Sequence, residues 1–87
     1  MYYRVKLSKR AQRDREIVER THLGERVEKL LRILSENPYQ TPPPYEKLIG
    51  NLKGFYSRRI NLHHRLIYEV REEDKSVVVL SMWTHYE

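Results

Sequence analysis

The stretch NLKGFYSRRINLHHRLIYEV, residues 51–70, decides how this chain is read. Two strand-like runs, Phe55 to Asn61 and Arg65 to Val70, flank a polar turn, the pattern of a β-hairpin. Side chains alternate faces along a strand, so Leu66, Tyr68 and Val70 share one face of the second run. Tyr56 and Ile60 match it on the first, and this is the core face. Any register that brings Ile60 and Leu66 together also brings Arg59 and Arg65 together on the opposite face, beside Ser57, Ile67 and Glu69. Like charges facing each other across a ladder are unfavourable. Such a pair therefore implies an anion between them, a protein carboxylate or a phosphate. The plainer reading is surface arginines paired with glutamates. Arg58 has coreward parity and is expected to escape to solvent past a sheet edge.

Outward from the hairpin, the run VVVL within Ser76 to Trp83 reads as a buried central strand, with REEDKS as the polar turn before it. Upstream, YYRVKL is a first strand, and Ser8 is a candidate N-cap for a helix over KRAQRDREIVER. That helix has a thin apolar stripe of Ala11, Ile17 and Val18. Leu23, Val27, Leu30, Leu31 and Leu34 recur at helical spacing and define a second, stronger helix. Asn37-Pro38 ends it, because the residue before proline is driven out of the α region. The segment YQTPPPYEK, with three consecutive prolines, is an extended, unpaired loop. The order is β-α-α-β-β-β, an α+β domain with two helices on one face of a twisted, largely antiparallel sheet.

At 87 residues the chain is expected to form one domain, 1–87, with a small core and a site at its surface. It has no cysteine, which excludes disulfides and thiolate zinc sites. The opening MYYRVKLSKR has no apolar signal core, and no run is long enough to span a membrane, so a soluble, cytoplasmic protein is expected. The net charge of +5 favours a polyanionic or acidic partner. The excess is concentrated at the amino end and at Lys47, Lys53, Arg58, Arg59, Arg65 and Arg71. The four histidines show no HxH or HExxH spacing, no glycine-rich phosphate loop is present, and no metal or cofactor is expected. Taken singly, Glu46, His64 and His85 read as solvated or supporting residues.

Together they read differently. PYEKLIGNLKGFYSRRINLHHRLIYEV followed by the terminal WTHYE resembles the carboxyl half of the YoeB/Txe toxins of the RelE/ParE superfamily. The pattern is a glutamate, then L..NL.G..SRRI...HRL.Y.V, then a terminal HY, covering Tyr45 to Tyr86 in order. The amino half is similar only in layout. The resemblance implies a RelE-like, microbial-ribonuclease-type fold and a ribosome-dependent mRNA endoribonuclease neutralised by an antitoxin protein. It places a general base at Glu46, site arginines at Arg59 and Arg65, and a general acid and adjoining tyrosine at His85 and Tyr86. A family lysine corresponds to Ile49, leaving Lys47 or Lys53 to supply the missing charge, or a weaker site. Tyr56 stands where the family has tryptophan.

These residue types suit RNA cleavage by an internal 2′-hydroxyl. That reaction needs a base for its proton, cations for the phosphorane and an acid for the leaving 5′-oxygen. Implied partners are the antitoxin, the ribosome and mRNA, in a homodimer or a toxin–antitoxin hetero-oligomer, with no membrane. Two other readings stay open. A ParE-like toxin acting on DNA gyrase would lack this acid–base set. A non-catalytic RNA-binding module would more often expose aromatics for base stacking.

Overall fold

The computed structural model describes residues 2–85, with side chains described through Met82. Strand β1 (Arg4–Leu7) leads into helices α1 (Lys9–Val18) and α2 (Gly24–Glu36). Then come β2 (Glu46–Lys47), a 3₁₀ turn (Gly50–Leu52), β3 (Tyr56–Arg59), β4 (His64–Arg71) and β5 (Ser76–His85). They form one sheet in the order β1-β5-β4-β3-β2, in which β1 runs parallel to β5 and the other neighbours are antiparallel. This is the expected α+β layout with one addition. Strand β2 lies in what the sequence presents as loop, because two residues carry no alternation to read.

Ser8 caps α1 as its position suggests. Its hydroxyl accepts the Ala11 N–H at 3.0 Å and donates to the Leu80 carbonyl at 2.7 Å. Leu23, Val27, Leu30, Leu31 and Leu34 are all buried, and α2 stops at Glu36 with Asn37 extended before Pro38. Arg15 clasps both carboxylate oxygens of Glu28, at 2.8 and 2.7 Å, and so ties the two helices. The helices pack on one face of the sheet, where Val18, Val27 and Leu34 meet Ile60, Leu66, Tyr68, Val77, Val79 and Met82.

The stripe of α1 departs from expectation. Ile17 is 44% exposed, and Asp14 is buried instead. The reason lies in β5, whose ladder with β4 shifts twice, between Tyr68↔Val79 and Ile67↔Ser81 and again before Arg65↔Thr84. Each extra residue on β5 frees a backbone group from the ladder, and a buried backbone group needs a partner. Asp14 accepts the Met82 N–H at 3.1 Å, just as Ser8 takes the Leu80 carbonyl. Ser8, which caps α1, and Asp14 within it thus hold the irregular part of β5.

Arg58 is the larger correction. It does not reach solvent; it is fully buried. Its Nη1 donates to the Pro43 carbonyl at 2.6 Å, and its Nη2 to those of Pro38 and Gln40, both at 2.9 Å. Its Nε donates to the Tyr68 hydroxyl at 3.2 Å. The segment 38–44 is rich in prolines, which have no N–H with which to join a ladder, and three of its carbonyls find a donor in this one guanidinium. Burial pushes the Tyr68 phenol upward while Arg58 pulls it down, and its proton goes to Pro38, at 3.0 Å.

Candidate active site

The face of the sheet away from the helices carries the charged residues. Strand pairing aligns Glu46, Ser57, Ile67 and Ser81 in one row across β2, β3, β4 and β5. The next row contains Arg59, Arg65 and Thr84. The Arg59↔Arg65 pairing required by alternation is therefore present. Its register is held by the turn between them. Asn61 Oδ1 accepts the N–H groups of His63 and His64 at 2.9 and 2.8 Å, and Arg26 on α2 donates to the Ile60 carbonyl at 2.8 Å.

Arg65 crosses from its own row to the next. Its Nη1 donates to Glu46 Oε1 at 2.8 Å and contacts the Ser57 hydroxyl at 3.3 Å. A carboxylate thus occupies one of the two arginines, as the like-charge argument requires. With 65% of the Glu46 side chain and 25% of that of Arg65 exposed, this pair contributes about 1 kcal/mol or less to stability. Ile67 belongs to this face, yet it is fully buried, with Arg65 reaching over its row. Arg59 is exposed, and its side chain makes no hydrogen bond or ion pair with the described residues.

The structure brings Glu46, Arg59 and Arg65 together and leaves the two lysines apart. Lys47 pairs with Tyr56, which places it on the other face of β2 from Glu46. Lys53 follows the 3₁₀ turn and is exposed; among the described residues neither lysine bonds to the trio. Ile49 projects from the surface, 86% exposed. In the backbone ladder His85 stands opposite His64, one residue along from Arg65↔Thr84, so β5 ends at the site. The His85 side chain and all of Tyr86 lie outside the described residues. Alternation puts Ser57 on this face, but its contact with Arg65 has no signal in the sequence, since a strand serine carries none.

An open sheet face bearing a carboxylate and two arginines, with helices behind it, marks a class of small basic α+β protein. Comparison with known proteins makes this specific. The model of the YoeB-like toxins of bacterial type II toxin–antitoxin systems matches residues 8–86. A Toxin YoeB of Synechocystis is 34% identical over 65 residues, covering 75% of this chain and 73% of that protein. A Toxin YoeB of Escherichia coli is 34% identical over 61 residues, 70% of each chain. Among solved structures, a YoeB/ParE toxin from Agrobacterium tumefaciens superposes with a TM-score of 0.86 at 27% identity, over 95% of this chain and 99% of that one. A chain of the heterotetrameric YoeB–YefM toxin–antitoxin complex from Staphylococcus aureus gives 0.81 at 30% identity, over 99% and 100%. The chain belongs to the YoeB-like toxins of bacterial type II toxin–antitoxin systems.

Proposed function

We propose that this toxin is a ribosome-dependent mRNA endoribonuclease that uses acid–base chemistry without a metal. The observation that carries the reading is the Glu46–Arg65 contact at 2.8 Å on an open face, beside Arg59, whose side chain bonds to none of the described residues. In the free protein the Glu46 carboxylate sits where a scissile phosphate would be welcomed. When the phosphate takes the Arg65 donors, Glu46 is left beside the substrate and accepts the 2′-hydroxyl proton. The 2′-oxygen attacks phosphorus, and Arg59 and Arg65 stabilise the added charge of the phosphorane. As the bond to the 5′-oxygen breaks, that oxygen takes a proton from His85. The products are a 2′,3′-cyclic phosphate and a 5′-hydroxyl.

Among the described residues no helix is long and apolar enough to cross a membrane. The partner reading rests on charge and on the relatives. The Staphylococcus aureus YoeB is known both with YefM and as a dimer. By analogy this chain binds an acidic antitoxin segment and forms a homodimer or a hetero-oligomer. A groove of about 540 Å³ between α2 and the proline segment, reaching Arg59 at the open edge of β3, offers Arg26, Lys29 and Arg59 and, among the described residues, no carboxylate, which suits such a segment.

The test is cleavage on translating ribosomes. Purified toxin should cut mRNA within the occupied ribosome, leaving 2′,3′-cyclic phosphate and 5′-hydroxyl ends, and the antitoxin should suppress it. Cuts bearing 5′-phosphate ends, or no cuts from active translation mixtures, would refute the reading.

A further inference from the structure

We propose that Arg58, which touches no substrate, is a positioning residue for the general base Glu46; this rests on the endoribonuclease reading above. Glu46 begins a two-residue edge strand, and most of its side chain is exposed, so its own element fixes it weakly. The chain that delivers it contains Pro42, Pro43 and Pro44, three residues unable to donate to a ladder. Its placement must come from elsewhere.

It comes from the fork of Arg58. The guanidinium takes the carbonyls of Pro38, Gln40 and Pro43, the last only three residues before Glu46. Tyr45, the residue immediately before Glu46, lies with its ring 5.2 Å from the same guanidinium. The Tyr45 ring also meets Tyr56 edge-on at 5.6 Å, and Tyr56 stacks on Tyr68 at 5.5 Å. The approach to Glu46 is therefore held at four points by one planar cation and its aromatic neighbours. Arg58 in turn is fixed within β3 between Ser57, the partner of Glu46, and Arg59, the partner of Arg65. One rigid strand sets the base and the phosphate-binding arginines relative to each other. Among the described residues no carboxylate pairs with Arg58. Its donors serve the loop.

The substitution that tests this is Arg58→Lys, which keeps the charge and loses the planar fork that spans three carbonyls. In single-turnover cleavage on programmed ribosomes its maximal rate should fall about 10- to 100-fold, the scale of a misplaced catalytic group. The substrate concentration at half-maximal rate should stay within about twofold, since Arg59 and Arg65 remain. Added to Glu46→Gln, Arg58→Lys should cause no further loss, because the group it positions is already gone. A folded Arg58→Lys protein with the wild-type rate, or losses that multiply in the double variant, would overturn the proposal. If Arg58→Lys does not fold, Tyr45→Leu decides. Tyr45 is half-buried and outside the core cluster, so the same fall in rate and the same non-additivity are expected. An undiminished rate there also overturns the proposal. Wild-type protein is the control: if it fails to cleave, the endoribonuclease reading falls, whereas cleaving wild type with equally active variants refutes only the role of Arg58.

Discussion

Arg58 and Arg59 are adjacent in sequence and point to opposite faces of one strand, and their fates differ completely. Arg58 is buried against three carbonyls and a phenol; Arg59 is exposed beside Arg65. On the inner face a buried cation persists because the Pro38, Gln40 and Pro43 carbonyls and the Tyr68 hydroxyl accept its N–H groups. On the outer face Arg65 is paired with the exposed Glu46 carboxylate, and Arg59 is exposed to water. The same residue type is buried and hydrogen-bonded on one side and exposed on the other; parity sets the side, and the distant carbonyls of the proline segment set the fate of Arg58.

The largest effect that would sharpen this contrast is on stability. Arg58→Met leaves the Pro38 and Gln40 carbonyls without their guanidinium donor and should cost about 3 kcal/mol, the scale of several buried groups losing partners. Arg65→Met should cost about 1 kcal/mol or less, since it breaks a partly exposed ion pair. Denaturant melts of both variants check this. Equal losses would mean that the two faces do not differ in the way described.

A smaller effect concerns the start of the proline segment. Tyr39 donates to Glu72 at 2.7 Å, and Tyr3 and Lys75 donate to the same carboxylate. These bonds, that from Tyr39 first, hold the Glu72 carboxyl below its usual range. A depressed folded value adds stability that is present above the unfolded value of about 4.5 and fades as the pH falls through the folded one. Wild type should therefore melt above Glu72→Gln at pH 7, and the gap should close on acidification below about pH 4.5. A gap that stays constant across that range would remove Glu72 as the anchor of Tyr39.

Much of this was legible in the sequence where local pattern governs. The leucine repeat of α2, the Ser8 cap and the Arg59↔Arg65 register follow from spacing of a few residues. What was not legible depends on distant partners. The burial of Arg58 needs acceptors 15 to 20 residues upstream, and β2 is too short to show alternation. Asp14 looks like one more helix-surface carboxylate until the irregular ladder of β5 presents it with the Met82 amide. The site split the same way. Parity brought the two arginines together, whereas Glu46 joins them through a strand the sequence does not announce, and Lys47 is turned from it by that strand's pairing.

The central claim is that the outer face performs acid–base cleavage, with Glu46 taking a proton at the start and His85 giving one at the end. The most direct measurement compares ordinary RNA with a substrate whose leaving 5′-oxygen is replaced by sulfur, in single turnovers on ribosomes. A thiolate leaves without protonation, so it needs no general acid. On ordinary RNA, Glu46→Gln and His85→Ala should each slow cleavage by about 10²-fold or more. On the sulfur substrate His85→Ala should recover most of its lost rate, while Glu46→Gln stays slow. If both variants remain equally slow on sulfur, or if Glu46→Gln cleaves ordinary RNA at the wild-type rate, the assignment of acid and base to this face is contradicted.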